Sequence, residues 1–210
     1  MNKTELAVKV FDKHAKEYQD KFMDLSLYHD TFNLFCDLIT QPNASVLDVA
    51  CGPGNITHYL LQQRPDFKIL GVDLALNMLA LARTNNPTAG FELMDGRDIG
   101  QLSRQFDGIM CGFGLPYFSK EEAVQFIKDA ASLLGSGGVI YLSTMEDDYE
   151  KSGIETTPAG NQLFIHYHQA DYLVAALESN GFEMIGTSRK TYPGKPGQMT
   201  TDLILIASKN

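Results

Sequence analysis

Two patterns of hydrophobic residues divide the chain. Over residues 3–40, apolar side chains recur at spacings of three and four, which predicts two amphipathic helices with Asp24 or Ser26 as the cap between them. From residue 44 onward, short apolar runs alternate with helical segments, which is typical of βαβ units around a parallel sheet. The pattern therefore predicts an α/β domain preceded by a helical segment.

The alternation predicts strands over residues 45–49, 67–72, 90–94, 106–112 and 138–144, with helices near 55–64, 76–85, 98–103 and 120–134. The acidic and polar residues 145–165 interrupt it and predict a loop or hairpin, which is either a binding lid or a plain surface excursion. A helix over 169–180 follows. Two strands, 182–189 and 201–207, joined by the hairpin loop PGKPGQ, then close the domain.

Length and composition predict one globular domain over residues 1–210. We divide it into a helical cap (1–40), a core (41–144), a lid-like insertion (145–168) and a C-terminal helix with a hairpin (169–210). The formal net charge of −9 argues against nonspecific binding to nucleic acid. Three cysteines without a C-x-x-C pair, and no signal or membrane segment, lead us to expect a soluble cytoplasmic protein without contact to a membrane.

The stretch VLDVACGPGN, residues 46–55, carries the first chemical signal. Its apolar residues suit a buried strand, and Gly52 and Gly54 permit positive φ and close approach of backbone N–H groups to a ligand. Asp48 lies inside the apolar run, where a carboxylate is costly unless it is hydrogen-bonded. Asp48 is therefore expected either to order the following loop or to meet a ligand, although a purely structural turn is the alternative.

Acidic residues recur where successive predicted strands end. Asp73 ends KILGVD, Asp95 ends FELMD, and the fourth strand, FDGIMCGFG, ends in glycines instead. Because ligands of open parallel sheets lie beyond the carboxyl ends of the strands, a polar ligand spanning these ends is the economical explanation. Asp73 is also well placed to accept hydrogen bonds from a ribose diol, a feature shared by two classes of nucleotide cofactor.

A dinucleotide cofactor is the less favoured of the two classes. Its fingerprint requires a third small residue at position 57, where this chain has Thr57, and Asp48 within the first strand is foreign to it. A nicotinamide enzyme would also need a catalytic domain, for which we expect too little chain to be left.

Together these segments resemble the class I S-adenosylmethionine-dependent methyltransferases, over nearly all of residues 10–208. VLDVACGPGN is similar to the first motif of that family, GVDLALNMLALA to the second, MDGRDI to the third, FDGIMCGFGLPYF to the fourth and LLGSGGVIYLS to the fifth. FDKHAKEY resembles the F-x-x-x-A-x-x-Y segment that precedes the core in many members acting on small molecules. Each motif is weak alone, whereas their joint order and spacing are specific.

The resemblance implies a Rossmann-like, seven-stranded mixed sheet of order 3-2-1-4-5-7-6 with an antiparallel strand 7, flanked by helices, and S-adenosyl-L-methionine as cofactor. It implies that Gly52 and Gly54 border the methionine part of the cofactor and that Asp48 orients their loop. Asp73 would bind the ribose, Leu74 and Met78 would contact the adenine, Asp95 and Gly96 would hydrogen-bond it, and Cys111 and Gly112 would lie beneath the sulfonium.

Two positions depart from the family pattern. Ala50 replaces the first glycine of D-x-G-x-G-x-G, and Ala75 replaces a frequent serine at the start of the second helix. These departures leave the loop geometry and that helix cap undetermined.

The acceptor has to be sought outside the motifs. The candidate acceptor-binding residues are aromatic residues and histidines of the cap, the fourth strand's end and the insertion: Tyr18, Tyr28, His29, Phe113, Tyr117, His166 and His168. Packing of the helices against the sheet is the alternative role of the cap aromatics, and hydrogen-bonded surface histidines are the alternative to a ligand role for His166 and His168. No metal is expected, since methyl transfer from a sulfonium needs alignment, exclusion of water and, for some acceptors, a base.

The sequence favours a small-molecule acceptor. An N-P-P-Y type motif of amide and base N-methyltransferases would begin at Gly112, where the chain reads GFGL, and we predict no nucleic-acid acceptor. A protein acceptor stays open, as does a non-catalytic cofactor-binding partner subunit with the same binding residues.

Overall fold

The computed structural model describes residues 3–157, 160–194, 197 and 199–210. In this part of the chain the α-helices are α1 Lys3–Lys13, α2 Ala15–Phe22, α3 His29–Leu38, α4 Asn55–Gln63, α5 Leu76–Asn85, α6 Lys120–Leu133 and α7 Ala170–Ser179. The strands are β1 Ser45–Val49, β2 Lys68–Asp73, β3 Gly90–Leu93, β4 Phe106–Cys111, β5 Leu134–Met145, β6 Gly153–Thr156, β7 Gln162–Ile165, β8 Phe182–Pro193 and β9 Met199–Lys209. Short 3-10 helices cover Ser26–Tyr28, Gly96–Gln101, Leu115–Tyr117 and Tyr149–Lys151.

Seven strands form one twisted sheet of order β3-β2-β1-β4-β5-β9-β8. The first five pair in parallel, whereas β9 is antiparallel to both β5 and β8. In chain order of the sheet strands this is the expected 3-2-1-4-5-7-6 arrangement, so the predicted fold class is confirmed. The carboxyl ends of β1, β2, β3 and β4 therefore meet at one edge of the sheet, where the acids and glycines lie.

Strand β1 lies in the middle of this sheet and is buried on both faces. Leu47 and Val49 belong to the core formed with α6 and α7, and Val46 belongs to the core formed with α3 and α4. Since successive side chains alternate between faces, Asp48 points to the same face as Val46, towards α4. This geometry places a carboxylate between a buried strand and a helix.

The helical cap differs from the prediction. Residues 3–40 contain three α-helices rather than two, because His14, with φ −110° and ψ 25°, interrupts the first one and separates α1 from α2. Asp24 lies between α2 and α3 and accepts a hydrogen bond from the Ser26 N–H at 2.9 Å. Periodicity alone does not show this break, since the apolar spacing continues across it.

Two other segments also differ in detail. The helix predicted over 98–103 is a 3-10 helix starting at Gly96, where the Asp95 carboxylate accepts the Arg97 N–H. Strand β5 begins at Leu134, ahead of the start predicted at residue 138, and its register with β4 shifts between Phe106 and Gly108.

The hairpin interpretation of the insertion is confirmed, because β6 and β7 form a separate two-stranded antiparallel sheet. The C-terminal hairpin of β8 and β9 is also confirmed and is longer than predicted. Pro158 of the insertion, and Lys195, Pro196 and Gln198 of the loop PGKPGQ, lie outside the described residues.

Candidate functional site

Asp48 connects strand β1 to helix α4 beneath the loop that joins them. Its carboxylate is almost completely buried and accepts a hydrogen bond from the Thr57 hydroxyl on α4 at 2.5 Å. Burial raises the pKa of Asp48 to about 7, although the Thr57 hydrogen bond opposes this shift. Thr57 is the residue by which this loop departs from a dinucleotide fingerprint, and it is the hydrogen-bond donor to the buried Asp48.

Gly54 begins α4 in the left-handed conformation, at φ 75°. Its carbonyl accepts a hydrogen bond from the buried Asn86 side chain at 2.9 Å. A Cβ added to Gly54 would lie 2.4 Å from the Asn86 amide nitrogen, so this position requires glycine on both conformational and steric grounds. Gly54 thus determines the backbone conformation of the loop on the side away from the cavity.

Asp73, at the end of β2, connects this loop to the next helix. Its carboxylate accepts the Gly52 N–H at 2.9 Å and the Ala75 N–H at 2.8 Å, which joins the loops after β1 and β2. Burial raises the pKa of Asp73, and its backbone hydrogen bonds oppose this shift. The missing serine cap at Ala75 is replaced from outside the motif, because the Asp12 carboxylate of α1 accepts the Asn77 N–H at 2.7 Å.

Asp95, after β3, pairs with Arg97, which also binds Glu122 on α6 at 2.9 Å. Burial acts to raise the pKa of Asp95, but the hydrogen bonds from Arg97 outweigh it and hold this pKa below its usual value. Gly96 follows directly, and a Cβ there would lie 2.7 Å from the Val49 side chain. The carboxylate is therefore ionised and fixed in place while the backbone beside it lies close to the core.

Two non-glycine residues in this region have left-handed backbone conformations. Ala50 has φ 55° and Phe113 has φ 62°, and such conformations cost about 1–2 kcal/mol each for an L-residue. The Phe113 N–H donates to the Ser143 hydroxyl at 2.9 Å, which helps to hold the strained turn after β4. Backbone strain of this kind is concentrated at functional sites in proteins.

These strand ends surround one cavity, with about 990 Å³ of empty space that includes some open to solvent. One face of α1, comprising Thr4, Ala7, Val8 and Phe11 at helical spacing, forms part of its wall. Because α1 contacts β7 as well as α5, it lies across the cavity as a roof.

The cavity has two chemically different ends. We call the part formed by Asp73, Leu74, Met78, Asp95 and Gly96 the carboxylate end, and the part formed by Lys3, Phe11, Tyr117, Phe164 and His166 the aromatic end. Gly52, Tyr18, Gly112 and Phe113 also line the cavity. A single volume therefore runs from two half-buried acids to a set of rings with one histidine.

The rings of the aromatic end are packed against one another. Phe11 meets Tyr117 edge to face at 5.2 Å and Tyr18 edge to face at 5.7 Å, measured between ring centroids. Phe164 lies 4.7 Å from the His166 ring, and the Lys3 ammonium lies 3.3 Å above the Phe164 ring centroid. Burial raises the pKa values of Tyr18 and Tyr117, so both tyrosines are neutral near neutral pH.

Six predicted site residues do not line this cavity. Asp48, Gly54 and Cys111 lie behind the wall, and the buried Cys111 belongs to the core formed with α6. Burial raises the pKa of the Cys111 thiol to about 12. Asp48 was expected to orient the loop and binds Thr57, whereas Gly54 and Cys111 were expected beside the cofactor and lie behind Gly52 and Gly112, which do line the cavity.

The other three belong to the acceptor candidates, Tyr28, His29 and His168. The Tyr28 hydroxyl donates to the buried Asp202 at 2.6 Å, so Tyr28 acts at the cavity only through its ring contact with Phe113, at 5.1 Å. His29 stacks on Tyr59 at 4.3 Å, on the surface of α3 and α4. For Tyr28 this agrees with the packing alternative that the sequence left open for the cap aromatics, whereas His168 is hydrogen-bonded but buried rather than on the surface.

His166 and His168 have different environments although they are two residues apart. His168 is fully buried, and its ring lies between the Leu115 carbonyl, at 2.9 Å, and the Tyr172 hydroxyl. Burial lowers the pKa of His168 to about 4, so its ring is neutral and structural. His166 lines the cavity, and its backbone N–H donates to the Pro116 carbonyl at 2.8 Å, which fixes it to the turn after β4.

Sequence reasoning missed several residues of the site. Lys3 and Phe164 line the cavity but carry no motif, Phe11 of FDKHAKEY lines it although it was not a candidate site residue, and Arg97 was not expected to position Asp95. Asp12 capping α5 was also missed. The available signal was the one-sided apolar spacing of α1, but that pattern does not say whether a helix face covers the sheet or a cavity.

Within residues 3–157, 160–194, 197 and 199–210, no group of three or more histidine, cysteine, aspartate or glutamate side chains is arranged to hold a metal ion. A helix of sufficient length and apolarity to span a bilayer is likewise absent from this part of the chain.

Comparison with known proteins agrees with the fold. Residues 46–138 match a family model described as a methyltransferase domain. The chain is 30% identical over 141 residues to a malonyl-[acyl-carrier protein] O-methyltransferase of Priestia megaterium, covering 63% of this chain and 51% of that protein. It is 35% identical over 116 residues to the ribosomal RNA small subunit methyltransferase C of Shewanella pealeana, covering 50% and 32%.

The solved structure of an S-adenosylmethionine-dependent methyltransferase from Clostridium acetobutylicum superposes with a TM-score of 0.72 at 15% identity, covering 96% of this chain and 99% of that one. The chain spans about half, or less, of the length of the curated relatives it matches. Residues 46–138 therefore resemble a methyltransferase domain, and the whole chain has the fold of the solved S-adenosylmethionine-dependent methyltransferase.

Proposed function

We propose that this protein binds S-adenosyl-L-methionine at the carboxylate end and transfers its methyl group to a small molecule held at the aromatic end. The observation that carries this proposal is the single cavity in which both ends meet. When bound, S-adenosylmethionine supplies a methyl group that is already activated on a sulfonium. The protein then has to align the acceptor with that methyl group and exclude water.

The residues of the carboxylate end fit the cofactor. Asp73 keeps free lone pairs for a ribose diol after accepting two backbone N–H groups. Asp95 is held ionised by Arg97 and can accept a hydrogen bond from an adenine amino group, with Leu74 and Met78 providing apolar contact for the ring. Gly52 and Gly112 also line the cavity, and the sulfonium would lie beside them.

A small acceptor is favoured over a nucleic acid. The formal charge of −9 would repel phosphates, and α1 together with the β6–β7 hairpin covers the aromatic end. One relative is named as a ribosomal RNA methyltransferase, so RNA belongs in the test as a separate class of acceptor.

The proposal is tested by calorimetric titration with S-adenosylmethionine and NADH, followed by a screen of small-molecule pools and RNA for release of S-adenosylhomocysteine. We expect binding of S-adenosylmethionine alone and turnover with a small-molecule pool. The double variant Tyr117→Phe, His166→Asn should keep the cofactor affinity and lose turnover. Binding of NADH alone would contradict the cofactor assignment, and cofactor binding without turnover of any pool would favour a non-catalytic partner subunit.

A further inference from the structure

The aromatic end contains one side chain able to remove a proton from a bound molecule. Among the described residues that line this end, Lys3 is a cation, Tyr117 is a buried phenol, and His166 is the only imidazole. His166 is 7% exposed. Burial, and then the charge of Lys3, lowers its pKa, so the ring is neutral and basic at neutral pH.

The position of His166 is fixed by contacts that leave part of the ring available. Its backbone is tied to the Pro116 carbonyl, and the Tyr149 hydroxyl lies 3.4 Å from ring nitrogen Nδ1. Within the described chain, no hydrogen-bond partner is found for Nε2. His168, whose ring lies 6.4 Å away, has both nitrogens engaged and serves as the contrasting structural histidine.

The surroundings of His166 indicate the shape and charge of the molecule that would bind there. Phe164 beside the His166 ring, together with the edge-to-face pair of Phe11 and Tyr117 in the same cavity, favours a flat aromatic ring. Lys3 adds a positive charge close to Phe164, which favours an acceptor that develops negative charge. A neutral hydroxyl on an aromatic ring has both properties, since its oxygen becomes a good nucleophile as its proton leaves.

We propose that His166 is the general base for methylation of a hydroxyl group on an aromatic acceptor, and this inference rests on the proposed function. The acceptor oxygen forms the new O–CH₃ bond while the methyl–sulfur bond breaks and its electron pair stays on sulfur. The hydroxyl proton passes to His166 Nε2, giving an imidazolium that releases the proton to solvent. The products are an aryl methyl ether and neutral S-adenosylhomocysteine.

Charged and titratable groups face His166 from each neighbouring element. They are Lys3 of α1, Glu121 and Glu122 of α6, Tyr149 of the 3-10 helix after β5, and His168. Lys3 lowers the pKa of His166, and the two glutamates raise it. The rate with a neutral phenol is therefore expected to rise with pH as the imidazole loses its proton, below neutral pH.

The first experiment follows the imidazole signals of the protein loaded with S-adenosylhomocysteine while catechol and phenol are added. The His166 signals should shift with each phenol, and the His29 signals should not. Absence of any shift at His166 would overturn the inference. Failure of S-adenosylhomocysteine to bind would instead overturn the proposed function, so the two failures are distinguishable.

The second experiment compares His166→Asn with the wild type on two phenols. With catechol, kcat should fall about 100-fold or more, because general bases typically raise the rate of a reaction 10²–10⁴-fold. The rise of this rate with pH should also disappear. With 4-nitrophenol, which is already ionised in mildly alkaline buffer, the rate should change by no more than about threefold. The affinity for S-adenosylmethionine should stay within about twofold of wild type.

His29→Asn is the matched control, because His29 lies outside the cavity on the surface of α3. It should leave both rates unchanged. An equal loss with both phenols would show that His166 only positions the acceptor. Turnover confined to acceptors without an aromatic hydroxyl would overturn the inference and leave the proposed function standing.

Discussion

The two ends of the cavity are built in different ways. The carboxylate end comes from loops after β1, β2 and β3, whose backbone is fixed by the parallel ladder of a buried sheet. The aromatic end comes from α1, the turn after β4 and the β6–β7 hairpin, which meet only through tertiary packing. The first end is therefore pre-shaped by the core, whereas the second depends on the edges of the domain. This difference suits a protein family that keeps its donor and varies its acceptor.

The largest expected effect is on cofactor binding at the carboxylate end, and it is produced by substituting Asp73. Asp73→Asn removes the negative charge that accepts the Gly52 and Ala75 N–H groups and, in our proposal, the ribose hydroxyls. Because hydrogen bonds to charged groups contribute about 1.5–3 kcal/mol each, loss of two should weaken S-adenosylmethionine binding about 1,000-fold. Calorimetric titration measures this change.

Asp37→Asn, which removes an exposed carboxylate on α3, is the control for Asp73→Asn and should bind the cofactor normally. A decrease below tenfold in Asp73→Asn would show that the ribose is held elsewhere.

The next effect concerns the buried acid beneath the carboxylate end. Since burial raises the pKa of Asp48 from 3.8 to about 7, the folded protein retains this proton at pH values where the unfolded chain has lost it. The contribution of Asp48 to the free energy of unfolding is then largest below about pH 4 and is lost as the pH rises through 7, a change of about 4 kcal/mol. Urea unfolding at a series of pH values measures this dependence.

Asp48→Asn, which keeps an acceptor for Thr57, should flatten the loss of stability between pH 4 and 7, and Asp37→Asn should not. A variant with the same pH dependence as wild type would assign the effect to other acids, with the buried Asp73 and Asp202 as the first candidates because their pKa values are also raised by burial.

The carboxylate end could be predicted from the sequence and most of the aromatic end could not, for a physical reason. Asp73, Asp95 and Gly96 follow buried strands directly, so strand order alone brings them together. Phe11 and Phe164 are separated by about 150 residues and line the same cavity because α1 packs on β7, which no local pattern records. The two histidines show the same limit. Their spacing in the sequence predicts that they lie side by side, but only tertiary packing decides that His168 is enclosed and that His166 faces the cavity.

The smallest expected effect tests whether the two ends are separable in their dynamics. Helix α1 buries one residue, Ala7, so it should open more readily than β1 or β4 and exchange its amide hydrogens faster. If the carboxylate end binds the cofactor without α1, near-saturating S-adenosylhomocysteine should slow exchange over residues 50–55 about tenfold and over α1 no more than about threefold. Hydrogen exchange followed by mass spectrometry measures both segments in one sample. Equal slowing of exchange in the two segments would mean that α1 must close before the cofactor binds. Helix α1 would then form part of both ends of the cavity.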